Sequence, residues 1–281
     1  MSGLIGKLTD FVRGFGPNGQ AFSSLRAEVI FEGDSEFHHI IIMEENGRRT
    51  MFFGPAGEEA ETSVDLRNPD QAVFEYPGMM LAALPLMPQG RRIAMLGLGG
   101  GYLPRLFRRY LPQYFLTVVE VDLMVAELAE TYFGFSPGDN VRLVVSDGRD
   151  FLEAQKPGAF DQIWLDAFSG DYVPSRLSGP DFLELCLSRL APGGLLAQNL
   201  HQSRPAAFSR QLDHTRAVFG DFMGLSGVRC GNAIIVARAP GAETGPPWKP
   251  AALSRAAKDF GPRIGPYDLV REMGKFKKFG P

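Results

Sequence analysis

Hydrophobic patterning divides the chain into two regions with different periods. Between residues 26 and 66, short β-rich runs alternate with turn residues, at 27–31, 37–43, 48–53 and 61–66. Glu45-Asn46-Gly47 joins the second and third runs, and an Asn-Gly pair accepts the positive φ angles of a tight hairpin. A small antiparallel sheet is expected here. The apolar stretch 71–87 follows; a helix is expected to start at Pro77-Gly78, after a bend, and Pro88-Gln89-Gly90 ends it. From Arg91 the pattern changes to near-continuous apolar runs at 93–96, 116–119, 141–145, 162–165, 195–200 and 233–237. Helical stretches separate them at 103–110, 123–132, 180–190 and 206–218. Apolar strands alternating with helices predict a parallel sheet covered on both faces, hence an α/β fold. Residues 240–250 are rich in Pro and Gly and read as a linker to a short tail helix.

The expected organisation is therefore an N-terminal amphipathic segment (1–25), a small β-rich domain (26–89), a Rossmann-like domain (90–239) and a linker with a C-terminal tail (240–281). In the first segment Leu4, Ile5, Leu8, Phe11, Val12 and Phe15 recur at helical spacing. Lys7, Asp10 and Arg13 interrupt them, so neither a signal peptide nor a membrane span is expected.

Composition narrows the classes further. The chain has 281 residues, 44% hydrophobic and 22% charged, enough apolar material for one large core and a small accessory one. A net charge of -3 argues against a nucleic-acid partner, which needs a concentrated basic surface. Lys275, Lys277 and Lys278 read as a solvated tail. Cys186 and Cys230 are far apart and form no metal or disulfide pattern, which leaves the cytoplasm as the default compartment. No metal is expected: His38 and His39 are strand neighbours and face opposite sides.

The candidate chemistry lies at the ends of the predicted strands. The first parallel strand runs into Gly97-Leu98-Gly99-Gly100-Gly101-Tyr102, where a glycine turn lets the backbone approach a ligand closely. A dinucleotide fingerprint would need glycine where Tyr102 or Pro104 stands. The spacing of Gly97, Gly99 and Gly101 is instead the usual first motif of S-adenosylmethionine-binding domains. Glu120 closes the next strand about twenty residues on, where a carboxylate can accept both ribose hydroxyls. Asp147-Gly148 closes the third, where a carboxylate can accept from an adenine amino group. For either acid, capping the following helix is the structural alternative.

These motifs, with Phe160-Asp161-Gln162-Ile163-Trp164-Leu165-Asp166 and Leu190-Ala191-Pro192-Gly193-Gly194-Leu195, resemble the spermidine synthases and their spermidine-synthase-like relatives across about residues 37–237. The resemblance implies a class I methyltransferase-type parallel sheet behind a small antiparallel sheet. It implies decarboxylated S-adenosylmethionine, or S-adenosylmethionine, as co-substrate, a small-molecule amine as acceptor, and a homodimer. It places Asp166 as the base that deprotonates the amine, and Tyr76 as a hydrogen-bond partner of that acid or of the amine. The chain departs from the family pattern at Gly100, where the family carries Asp, at Ser169, where it carries a second loop acid, and at Pro77-Gly78. Asp171 and Glu75 are candidate replacements as substrate-binding acids; a solvated loop acid is the alternative for each. The loop 167–178 is a candidate lid, and His201 a candidate rim residue. Aminopropyl transfer is the first expectation, methyl transfer the second, and a non-catalytic nucleoside-binding protein the third.

Overall fold

A computed structural model describes residues 27–54, 59–167, 174–228, 231–241, 248–261 and 263–279. The N-terminal segment, Ser169 and Asp171 of the candidate lid, and Cys230 lie outside the described residues. Four antiparallel strands come first: β1 (Glu28–Asp34), β2 (His39–Glu45), β3 (Arg48–Phe53) and β4 (Glu59–Asp65), in spatial order 1-2-3-4. The β2–β3 hairpin turns on Asn46 and Gly47, both at positive φ (54° and 77°).

A helix starts at Tyr76-Pro77, as expected, but it ends well before residue 87. The stretch 71–87 holds a short helix α1 (Tyr76–Leu81) and a 3-10 turn (Leu84–Leu86). Both are buried, and Met79, Met80 and Met87 fill the core beneath them.

The large sheet contains β5 (Arg92–Leu96), β6 (Phe115–Glu120), β7 (Val141–Val145), β8 (Phe160–Leu165), β9 (Leu190–His201), β10 (Phe222–Ser226) and β11 (Asn232–Arg238), in the order 10-11-9-8-5-6-7. Strands 5 to 9 run parallel; β10 and β11 are antiparallel additions at one edge. The parallel sheet predicted from sequence is thus a mostly parallel one. Strand β10 escaped the pattern because Gly224 sits at its centre, where a Cβ would come within 2.5 Å of the Phe279 ring. Helices α2 (Tyr102–Tyr110), α3 (Leu123–Phe133), α4 (Gly148–Glu153), α5 (Pro180–Arg189) and α6 (Pro205–Phe219) connect the strands. Helix α4, only six residues long, has no period long enough to read in advance.

Strand alternation sorts the core into two layers. Ile93, Met95, Leu116, Val118 and Trp164 face one side, and Ala94, Leu96, Val119, Ile163 and Leu165 the other. The small sheet buries Ile40, Ile42, Met51, Phe53 and Val64 against Val125, Leu128 and Phe133 of α3.

After residue 248 the chain forms α7 (Pro250–Phe260), a two-residue hairpin of β12 (Arg263–Ile264) and β13 (Tyr267–Asp268), and α8 (Leu269–Met273). Leu253, Ala257, Ile264, Leu269, Met273 and Phe276 join the same core layer as residues 79–87. Lys277, expected in a solvated tail, exchanges two backbone hydrogen bonds of 2.9 Å with Gly224.

The hairpin also explains one departure from the family pattern. A Cβ at Gly78 would lie 2.6 Å from Cδ1 of Tyr267, so the small residue on α1 makes room for the tail's tyrosine. Tyr267 is held there by the Tyr102 hydroxyl (2.7 Å) and by the N–H of Ala72 (3.3 Å). Gly78→Ala is therefore expected to destabilise the fold by about 1–3 kcal/mol in urea denaturation, through overpacking. Tyr267→Ala in the same chain should remove most of the clash; additive losses in the double variant would refute the contact.

Candidate active site

The sheet's order reverses between β5 and β8: β6 and β7 lie to one side, β9 to the other. Open parallel sheets bind ligands in the crevice outside the strand ends at such a point. Here the two strand ends are very close. The Asp166 N–H donates to the Leu96 carbonyl (2.8 Å), and the Gly97 N–H to that of Val119 (2.8 Å). Gly97 has φ +100°, and a Cβ on it would stand 2.1 Å from the Asp166 carbonyl oxygen. Glycine is required there both by conformation and by space. At Gly99 (φ +52°) a Cβ would meet nothing within 4 Å, so this side of the turn is open. Gly101 ends the turn as the N-cap of α2.

Glu120 faces this turn. Its carboxylate accepts the Leu98 N–H (2.9 Å) and the Asp122 N–H (3.0 Å), leaving further lone pairs for a ligand. Burial pushes its pKa up, the backbone N–H groups pull it down, and the nearby Asp122 charge adds to the rise. Asp122 itself caps α3 through the Met124 N–H.

Asp147 realises the capping alternative. It accepts the N–H groups of Arg149 (2.8 Å) and Asp150 (3.1 Å) at the start of α4, and the Arg176 Nε (3.0 Å). Desolvation opposes its ionisation, but these hydrogen bonds and the Arg176 charge outweigh it and hold the carboxyl below its usual value. A Cβ at Gly148 would come within 3.0 Å of Leu96 and 3.3 Å of Leu177, which keeps α4 close to the β5 end.

Asp166, at the end of β8, is in a different state. Its carboxyl is pushed up to about 7 by desolvation, against hydrogen bonds from Asn199 and Tyr76. The Asn199 amide donates at 2.8 Å, and its own oxygen accepts the Asn232 amide at 3.0 Å. Asp166, Tyr76 and Asn199 thus come together beside the glycine turn. In the sequence Asn199-Leu200 belongs to the family-like approach of this strand but carries no site role; a polar residue inside the apolar run 195–200 is the signal for one. Its neighbour Gln198 gives the same signal for a structural reason, being bonded to Thr215 (2.9 Å) and Gln211 (2.9 Å).

Other candidates are engaged elsewhere. Glu75 accepts the Val228 N–H (2.9 Å) and faces Lys275 (3.7 Å), which also pairs with Glu272. His201 meets the Ser203 hydroxyl at 2.7 Å.

No protein-family model matches the chain. It is 32% identical over 209 residues to the polyamine aminopropyltransferase of Vibrio vulnificus strain CMCP6, covering 72% of this chain and 68% of that protein. The chain belongs to the polyamine aminopropyltransferase family. It is also 33% identical over 179 residues to the eEF1A lysine and N-terminal methyltransferase of Danio rerio, covering 60% of this chain but 26% of that protein. The spermidine synthase of Thermotoga maritima shares the fold, with a TM-score of 0.71, 18% identity, and coverage of 89% and 84% of the two chains.

Within the aminopropyltransferase family pattern, the departure at Gly100 has a steric account. A Cβ there would lie 2.5 Å from the Thr62 methyl of β4, so the small sheet occupies the space that a side chain at 100 would need.

The raised pKa of Asp166 carries a stability consequence. The folded protein retains the proton up to about 7, whereas the unfolded chain releases it near 3.8, so stability falls as pH rises between these values and is level above. Asp166→Asn should abolish this fall: relative to wild type, the variant gains up to about 4 kcal/mol in denaturant unfolding between pH 4 and pH 8. An unchanged difference across that range would contradict the buried, protonated carboxyl.

Proposed function

We propose that this protein transfers the aminopropyl group of decarboxylated S-adenosylmethionine to a small amine, as a step of polyamine biosynthesis. The observation that carries the reading is a carboxyl poised near neutrality, Asp166, at the same sheet opening as the glycine turn and Glu120. Membership of the polyamine aminopropyltransferase family supports the same reaction.

In this reading the backbone at Gly97, Gly99 and Gly101 lines the donor's sulfonium side. Glu120 takes the ribose hydroxyls, and Asp147 with Gly148 flanks the base. Asp166 as carboxylate removes a proton from the acceptor ammonium. The freed nitrogen lone pair attacks the carbon bonded to sulfur, the C–S pair collapses onto sulfur, and a neutral thioether leaves while the new secondary amine carries the charge. Tyr76 and Asn199 hold the carboxyl in place. Asp171 and Glu75 are the proposed amine-binding acids; for Glu75 this requires exchange of its present partners, Lys275 and the Val228 N–H. We further take the protein to be a cytoplasmic homodimer. Its widely spaced cysteines agree with that compartment, and none of the described helices is long and apolar enough to cross a membrane.

Methyl transfer from S-adenosylmethionine is the second reading, favoured by Thr62 in place of an acid beside the turn and by the methyltransferase relative. Incubation with each donor and a panel of amines, read by mass spectrometry, separates the two. Aminopropyl adducts from the decarboxylated donor alone support the first; methylated products support the second. Neither product, with the donors still binding, leaves a nucleoside-binding protein.

Two further outcomes follow for the active enzyme. Because the base must be deprotonated, kcat/KM should rise with pH to a plateau above about 7. Asp166→Asn should lower kcat by about 10²- to 10⁴-fold with little change in donor binding, measured by steady-state kinetics and calorimetry.

A further inference from the structure

The turn between β1 and β2 displays an exposed aromatic ring on a locked backbone. The Ser35 hydroxyl oxygen accepts the N–H groups of Phe37 (3.1 Å) and His38 (2.9 Å), and the Ser35 N–H reaches the His38 carbonyl at 2.8 Å. The His38 ring lies flat on Phe53, with centroids 4.2 Å apart and planes 10° from parallel. Between these fixed points Phe37 leaves 47% of its surface exposed.

The same serine ties the turn to the large domain. Its hydroxyl donates to the Asp122 carboxylate at 2.5 Å, and the Asp122 N–H holds the Glu120 carboxylate at 3.0 Å. The turn therefore stands against the strand end that carries Glu120. On either side of Asp122, Val121 and Leu123 are also exposed, at 38% and 57%. Singly exposed apolar residues need no explanation, but Val121 and Leu123 flank the aspartate that Ser35 grips, at the strand end that carries Glu120, and Phe37 lies two residues beyond that serine.

The geometry points to Phe37 as a nucleoside-contacting residue: the small N-terminal sheet supplies an aromatic wall over the adenosine of the donor, with Val121 and Leu123 completing an apolar rim. The inference rests on the reading of the Gly99–Glu120 opening as the donor site. The chemistry suits the partner, since an adenine face stacks on an aromatic ring while the ribose hydroxyls go to the carboxylate. It also gives the N-terminal sheet a part in binding, because Ser35 locks the turn against Asp122 before any ligand arrives.

The test is calorimetric titration of the full chain with 5′-methylthioadenosine, a nucleoside that contains no transferable aminopropyl group. Phe37→Ala should weaken binding by roughly tenfold, from the loss of one ring–base stack. Phe37→Tyr should stay within about twofold, and both variants should melt like wild type because the ring is exposed. Equal binding by wild type and Phe37→Ala, with binding lost in Glu120→Ala, would overturn the inference and leave the donor site intact. No binding by wild type would overturn the donor site itself, and this inference with it. A change in sedimentation of Phe37→Ala without a change in affinity would assign the ring to a subunit contact instead.

Discussion

A close approach of two strand ends sets the geometry of the site around it. Strands β5 and β8 end so near one another that the Asp166 carbonyl fills the place of a side chain on Gly97. Interiors are packed too densely to yield space of that size without moving backbone. A larger residue would part the two strand ends, and the glycine turn, Asp166 and the mouth between them would move together. The reversal of strand order at this point supplies the crevice; the missing Cβ fixes its width.

Three strand ends on one edge of the sheet, those of β7, β6 and β8 with β5 between the last two, then present three acids in three electrostatic settings. Asp147 is anchored by the backbone of α4 and by Arg176, and these hold it ionised. Glu120 is desolvated, and burial raises its carboxyl although two backbone N–H groups pull the other way. Asp166 is desolvated too, but its partners are an asparagine amide and a tyrosine hydroxyl, and its carboxyl comes to about 7. Fixed dipoles stabilise a permanent charge, whereas neutral side chains around a dry carboxyl leave room for a proton to come and go. Fold and burial, rather than residue type, set the ionisation of the three acids apart.

Much of the architecture could be read in advance, because a strand buried on both faces must be apolar almost throughout. Strands β5, β6, β8 and β9 carry that mark, and the glycine turn, Glu120 and Asp166 are located simply by where those strands stop. The β2–β3 hairpin was visible in Asn46-Gly47 for an equally local reason. What stayed hidden depends on partners distant in sequence. The apolar residues after 248 are broken up by turns and acquire a role only against residues 79–87. Asn199 looks like an interruption until Asp166 stands beside it, and Arg176 gains its meaning from Asp147 some thirty residues earlier. Gly78 and Gly100 read as losses in the linear pattern; Tyr267 and Thr62 show them to be vacated volume that another segment fills.

The pairing of Lys277 with Gly224 has a bearing on how these molecules can meet one another. An outermost strand offers its unused amide and carbonyl groups as a template on which a second polypeptide can add, the commonest route by which sheets merge and precipitate. At the middle of β10 those groups are taken up by the chain's own last residues. On this flank the indiscriminate backbone route is interrupted at its centre from within, which shifts self-association toward side-chain surfaces, where contact can be selective.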